Sequence, residues 1–259
     1  MAVSAKQLAY VPSEVLTVNA AGVYYRELNR ALRKAVLEGT TEVNVENVFG
    51  QRYIGTSLRQ RAKLRIFGTP GNDLGAFMDG PEIEVFGNAQ DGVGNTMNSG
   101  EIVVHGNAGD VLAMSMRGGA IYVKGDAGYR CAIHMKEYGE RSPLVVIGGT
   151  AQDFFGEYMA GGTVILFGLG LKSGEFHRSN FIGTGMHAGR IYVRGGVSEG
   201  QLGKEVGVAE LDEIDRATVE RAARRYCTLF KAGEGEILSG KFVKLYPRAL
   251  RPYGRLYAY

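Results

Sequence analysis

The sequence predicts a mainly β protein: a parallel β-helix, or solenoid, of about eight coils with helices flanking it at both ends. Three observations predict it. A short apolar segment recurs at a nearly fixed spacing, its apolar residues alternate with period two, and a second register of methionines runs between the copies. Self-similarity at a period of 20–50 residues is the mark of an array whose units bury their apolar faces only by stacking.

The copies read KLRIFG ending at Gly68, EIEVFG at Gly87, EIVVHG at Gly106, AIYVKG at Gly125, LVVIG at Gly148, TVILFG at Gly168 and RIYVRG at Gly195. A weaker copy, EVNVEN, ends at Asn47, and the spacings are 21, 19, 19, 19, 23, 20 and 27 residues. The positions two and four before each closing residue are aliphatic throughout: Val43/Val45, Leu64/Ile66, Ile83/Val85, Ile102/Val104, Ile121/Val123, Leu144/Val146, Val164/Leu166 and Ile191/Val193. Such alternation predicts strands with one buried face. The closing glycine is expected to turn the chain through backbone conformations that other residues avoid. Two short strands and two glycine turns are expected per coil, with coils stacked at about 4.8 Å into a rod of roughly 35 Å.

Met78, Met97, Met116 and Met135 recur every 19 residues, and Met159 and Met186 occupy the matching place in longer repeats. A thioether fills irregular interior space, so this stripe predicts a core ladder rather than a cofactor site. A solenoid's open ends expose unpaired backbone and need covers. Residues 22–39 carry Leu28, Leu32 and Val36 at helical spacing and stop at Gly39. Residues 208–230 place acids early and arginines late, in accord with a helix dipole. Both are candidate caps, giving three parts: an N-terminal segment over 1–40, the β-helix over 41–205, and a helix with a basic aromatic tail over 206–259. Val145, Ile147, Ile165 and Phe167 are assigned to the outer face, where either the chain's own helices or another subunit must cover them.

The composition narrows the function. Glycine contributes 39 of 259 residues without a three-residue period, which excludes collagen, while 45% hydrophobic content excludes a disordered glycine-rich chain. No apolar run is long enough to span a membrane, and the start carries no pattern of a cleaved leader, so a cytoplasmic protein is expected. Cys131 and Cys227 lie 96 residues apart, and His105, His134, His177 and His187 form no HxxxH or HExxH pair. No metal site and no cofactor site is expected in this chain. Residues 241–259 hold Lys241, Lys244, Arg248, Arg251 and Arg255 without an acid, leaving 25 basic against 27 acidic residues before them. This reads as a near-neutral body with a basic tail, too narrow a footprint for nucleic acid. The tail's Phe242, Tyr246, Tyr253, Tyr257 and Tyr259 suggest an arm that docks on a partner protein.

Three motifs resemble sites. GVSEG (196–200) matches the GxSxG elbow around Ser198, which would make a stand-alone hydrolase, but no helix is expected before residue 208 to expose the serine. GLGLKSG (168–174) and GTGMHAG (183–189) lack the GxGxxG spacing and the following helix of a dinucleotide loop. His134 and His187 flank the methionine stripe without a carboxylate or thiol at ligand spacing, so structural or interface roles are expected, with His105 facing outward. The insertion LKSGEFHRSNF (171–181) is assigned as a contact loop, since solenoid insertions collect on one face.

The run GNAQDGVGNTMNSGEIVVHGNAGDVLAMSMRGGAIYVKGDAGYRCAIHM (87–135) resembles the glycine-repeat (GXGXG) domain of the glutamate synthase large subunit. FGQRYIG (49–55), FFGEYMAGGTVILFG (154–168), GTGMHAGRIYVRGG (183–196) and FVKLYPRALRPY (242–253) follow in the same order, so the resemblance covers roughly residues 40–253. It implies a right-handed β-helix that scaffolds a glutaminase and an FMN- and iron–sulfur-bearing synthase, here as a free-standing subunit with no catalytic residue. The implied reaction of the assembly converts glutamine, 2-oxoglutarate and reductant to two glutamates. The repeat is also similar to the glycine-repeat subunit of formylmethanofuran dehydrogenase and of its formyltransferase/hydrolase relatives, and to a subunit of N-methylglutamate synthase, which imply the same scaffold with other partners.

Overall fold

A computed structural model describes residues 15–172 and 174–248. Eleven strands form one sheet in the order β1-β2-β3-β4-β5-β6-β7-β8-β9-β11-β10. The strands are β1 (Leu16–Asn19), β2 (Glu42–Phe49), β3 (Lys63–Thr69), β4 (Asp79–Phe86), β5 (Ser99–Val104) and β6 (Ala120–Val123). They continue with β7 (Leu144–Ile147), β8 (Ala160–Leu166), β9 (Ala188–Arg194), β10 (Val206–Ala209) and β11 (Phe242–Pro247). Neighbours from β1 to β9 pair in parallel. The predicted solenoid is therefore present. The eight predicted strand copies are β2 to β9, and eight stacked strands enclose seven intervals, slightly fewer full turns than the eight expected.

Each coil holds one extended strand, not two. In place of the second is a run of turns in which every other residue is left-handed, as with Val111, Ala113 and Ser115 at φ 52°, 58° and 54°. Left-handed φ is uncommon outside glycine, above all for a β-branched residue. It persists because the run forms its own ladder. The Val111 and Ser115 amides donate to Tyr129 and Ile133 of the next coil, and the Ala113 amide donates back to Val93, each at 2.8 Å. Most backbone groups of the run are paired in this way, the Met114 amide closing on the Val111 carbonyl at 3.1 Å, which offsets the torsional cost.

Gly68, Gly168 and Gly195 turn the chain at φ 124°, 58° and 90°, as expected of closing glycines, but those of the central coils act differently. Gly87, Gly106 and Gly125 have no left-handed φ. They are small because the chain below approaches them: a β-carbon on Gly87 would lie 2.6 Å from the Gly68 carbonyl, and on Gly106 or Gly125 it would overlap the amide oxygen of Asn88 or Asn107. Those oxygens are occupied. Asn88 accepts from the Asn107 amide at 2.8 Å, Asn107 from Asp126 at 2.9 Å, and Asp126 from Thr150 at 2.7 Å.

One coil departs from the predicted register. Val145 and Ile147 pair with Ile121 and Val123 and belong to the interior, whereas Leu144 and Val146 face outward. The assignment of Leu144/Val146 inward and Val145/Ile147 outward is therefore reversed, since a one-residue slip exchanges the two faces of a strand. The repeat's closing glycine there is Gly149, which lies against Asp126, while Gly148 makes room for the Tyr226 ring. Ile165 and Phe167 face outward as predicted. All six repeated methionines are buried in the core.

The two helical segments do different work. α1 (Tyr25–Leu37) buries Leu28 and Leu32 in the solenoid core and covers its first turn. The Arg52 and Thr56 carbonyls, which would bond a preceding coil, accept instead from Asn29 Nδ2 at 2.8 Å and Arg33 Nη2 at 2.7 Å. That is a cap. α2 (Glu213–Phe230) starts five residues later than predicted, because 206–209 is a strand, and it does not cap an end. It lies along the sheet's outer face, burying Val219, Ala222, Ala223, Tyr226 and Phe230 against Val103, Tyr122, Val146, Ile165, Phe167 and Tyr192. The apolar outer face is thus covered from within the chain. A short helix α3 (Glu234–Leu238) follows.

The far end of the sheet is closed by strands. β11 pairs antiparallel with β9, and β10 antiparallel with β11, sending Leu245 and Val206 into the core. The expected partner-docking arm is corrected for residues 242–247, which dock on the chain's own solenoid. The alternation Val243, Lys244, Leu245 supplies one buried face, and Lys244 turns outward beneath α2. Arg251, Tyr253, Arg255, Tyr257 and Tyr259 lie outside the described residues.

Candidate interaction surface

The central outward column of the sheet reads Asn44, Arg65, Glu84, Val103, Tyr122, Val146, Ile165 and Tyr192 from β2 to β9. Its change from polar to apolar at Val103 marks where α2 begins to cover the sheet. Beyond the helix the face stays open. There Arg65 pairs with Glu42 at 2.6 Å, Lys63 with Glu84 at 3.3 Å, and Phe67, Phe86 and His105 stack at centroid spacings of 4.9 Å. His105 faces outward as expected, hydrogen-bonded to Glu84 at 3.0 Å and met edge-on by Phe230 at the end of α2.

The face formed by the turn runs carries exposed rings on its C-terminal half. Phe154 and Phe181 stack at 4.8 Å with the Arg130 guanidinium 5.0 Å from the Phe154 ring, and His134 stacks on Tyr158 at 5.3 Å. Arg130 also pairs with the nearly buried Glu157 at 2.7 Å. His134 thus has the structural surface role expected of it. His187 Nδ1 lies 3.5 Å from the Gly185 carbonyl, a long contact within its own loop.

α2 is pinned by a polar cluster beneath its first turn. Asp215, 2% exposed, accepts from the Tyr192 hydroxyl at 2.6 Å and from Lys244 Nζ at 2.8 Å, while Asp212 and Asp215 form a reciprocal N-terminal cap. Burial alone would raise the Asp215 carboxyl, but the hydrogen bonds from Lys244, Tyr192 and the Asp212 amide outweigh it and hold it below the usual carboxylate range. Burial, and then the hydrogen bond to Asp215 and that carboxylate's charge, push the Tyr192 phenol up. Further along, Tyr226 donates to the Lys124 carbonyl at 2.8 Å, and Arg225 forms a forked pair with Glu101. Perturbed groups of this kind also occur at catalytic centres. Here both oxygens of Asp215 are held by groups that join α2, β9 and β11.

The remaining sequence candidates are placed as follows. Ser198 precedes a single 3-10 turn, Glu199–Gln201, and its hydroxyl lies 3.3 Å from Gln201 Oε1 in a reciprocal cap. Ser198→Ala is expected to lower stability by about 0.5–2 kcal/mol and to leave p-nitrophenyl acetate hydrolysis at background. Activity that disappears with the hydroxyl would restore the serine as a nucleophile. The insertion is partly internal. His177 is buried with Nε2 2.9 Å from the Arg194 carbonyl, Ser179 donates to Gln152 at 2.7 Å, and Phe176 and Phe181 stay exposed. Burial lowers the His177 pKa and favours the neutral ring. Burial raises the Cys131 thiol to about 12, so it stays protonated in the core. Among the described residues, no group of three or more His, Cys, Asp or Glu could hold a metal ion. No helix of the described residues is long and apolar enough to cross a membrane.

Fold and surface together define a glycine-repeat β-solenoid with its own lateral helix and end covers. The chain belongs to the GXGXG motif family, which it matches over residues 31–248. It is 42% identical over 252 residues to an uncharacterized protein of Methanocaldococcus jannaschii, covering 94% of this chain and 97% of that one. Among solved structures it is similar to a chain of the formyltransferase/hydrolase complex of Methylorubrum extorquens, solved with methylofuran. The TM-score is 0.59 at 21% identity, covering 80% of this chain and 74% of that one. At that identity the likeness is one of fold.

Proposed function

We propose that this chain is a non-catalytic scaffold subunit of a cytoplasmic multi-subunit enzyme, with its chemistry carried by partner subunits. The observation that carries the reading is where the buried polar side chains go. Gln51, Glu157, His177, Ser179 and Asp215 each bond to backbone or to an ion partner, and Thr150 donates to the Asp126 carboxylate, all contacts that hold the solenoid together. The family match over 31–248 and the exposed ring ladders support the same reading. In this reading the chain divides into residues 1–40, a β-helix over 41–205 and residues 206–259, and the described parts of the two flanking segments serve as covers.

Two assignments of the partners follow. The solved neighbour belongs to a formyltransferase/hydrolase complex, which supports a formyl-transfer assembly. The terminal FVKLYPRAL and the amphipathic helix before it support a glutamate synthase, with a glutaminase and an FMN/iron–sulfur synthase as partners. Gentle purification of the untagged protein from its host, followed by mass measurement of what accompanies it, separates them. Stoichiometric formyl-transfer subunits establish the first, and glutaminase with flavoprotein the second. A lone 28.0 kDa species overturns the scaffold itself.

A further inference from the structure

The body is near neutral only in sum, and its charge is not spread evenly. Residues 15–65 hold nine Lys and Arg against four Glu, whereas residues 66–240 hold 15 against 22. The excess positive charge of the body thus sits on α1 and the first turn it covers, at one end of a solenoid that is otherwise acidic.

At this end the side chains are arranged for contact. Tyr25 packs on Tyr53 at 5.7 Å between centroids, and the guanidinium of Arg52 lies 5.5 Å from the Tyr25 ring. Arg33 reaches Thr56, and Arg61 and Lys63 line a cleft of about 400 Å³ beside Thr41, just past the end of α1, with Glu82 as its one carboxylate among the described residues. Arg30, Arg59 and Arg61 are exposed. Phe49 is 90% exposed and Tyr24 55% exposed at the same end. Arginine beside tyrosine suits recognition of carboxylates, because the guanidinium fork binds both oxygens while the ring holds its plane.

We propose that this α1 end is a docking surface for an acidic protein segment, a stretch rich in Asp and Glu on a partner subunit. Charge complementarity carries the choice of occupant. The cap is one basic end of a solenoid whose residues 66–240 are acidic in sum, whereas nucleic acid calls for a basic stripe tracking a long backbone. The identity of the partner rests on the scaffold reading, but the surface itself does not.

A fluorescein-labelled decaglutamate peptide is titrated into the full-length protein at low and at 0.5 M salt. Two variants with equal loss of charge are compared with the parent: Arg30→Gln with Arg59→Gln and Arg61→Gln, and Arg248→Gln with Arg251→Gln and Arg255→Gln. The expected result is salt-sensitive binding that weakens about tenfold or more in the first variant and less than twofold in the second, with both melting like the parent. No binding by the parent, or equal weakening in both variants, overturns the proposal. Tighter binding of a labelled ten-nucleotide single-stranded DNA by the same cap would also overturn it, in favour of nucleic acid. None of these outcomes depends on co-purification, so the docking surface and the scaffold can fail separately.

Discussion

Gly94→Ala is expected to destabilise the protein by about 1–3 kcal/mol, and Ile121→Val is expected to relieve most of that loss. Gly94 sits in a turn run at φ 67°, and a β-carbon there would overlap Ile121 Cδ1. The same relation recurs along the solenoid. On Gly75 a β-carbon would lie 2.7 Å from Ile102 Cδ1, and on Gly156 2.7 Å from Ile191 Cδ1. Where the run carries alanine instead, at Ala113 and Ala132, the strand residues at the matching repeat positions are Val145 and Val164. Each coil therefore fills the space once, as glycine with isoleucine or as alanine with valine. Ala113 and Ala132 hold φ 58° and 57°, so this fold accommodates a left-handed alanine. The penalty at Gly94 is then mainly overpacking. A double-mutant cycle in urea should return a favourable coupling of about 1 kcal/mol or more. Additive losses would show that backbone strain, not the isoleucine, decides the residue.

This pairing shows what the sequence exposes and what it conceals. The strand copies are legible because one face meets the core and the other does not, which fixes a period of two. The turn runs are concealed because Leu112, Ala113 and Met116 are all buried, a spacing that does not reveal the alternating sign of φ. The slip at Gly148 is legible in a second register. Met78, Met97, Met116 and Met135 each follow a closing glycine by ten residues, and Met159 does so only from Gly149. The double glycine conceals this because two demands meet there, one from Asp126 and one from Tyr226. In Phe242–Pro247 the period-two signal is present, but its cations suggest a free arm. Only the α2 register explains why a lysine lies there: Lys244 is the counter-charge of Asp215. The α1 surface vanishes when charge is summed over the first 240 residues and emerges only window by window.

Asp215→Ala should be the costlier change, about 3–5 kcal/mol, as for other buried ion pairs broken from one side. It leaves Lys244, whose side chain is 19% exposed, with only a longer 3.7 Å pair to Asp212, strands the hydroxyl of Tyr192, which is 1% exposed, and removes half of the reciprocal cap. The lost contacts are those that seat α2 on the sheet, so Val146, Ile165 and Phe167 should become accessible and the variant should bind a hydrophobic dye. Asp215→Asn with Lys244→Met removes both charges and keeps most of the volume, and should recover a large part of the loss. The pH dependence follows from the depressed carboxyl. A folded pKa below the unfolded value of about 3.9 means that the native state holds its proton less tightly. Its stabilisation is therefore complete above that value and is lost as the pH falls through the folded pKa. Urea midpoints measured from pH 7 to pH 2.5 should fall more steeply for the parent than for the double variant below about pH 4. Parallel curves would place the acid sensitivity elsewhere, with Glu84 as the next carboxylate to replace. Burial raises that group, but bonds to His105 and Lys63 outweigh it and hold it low.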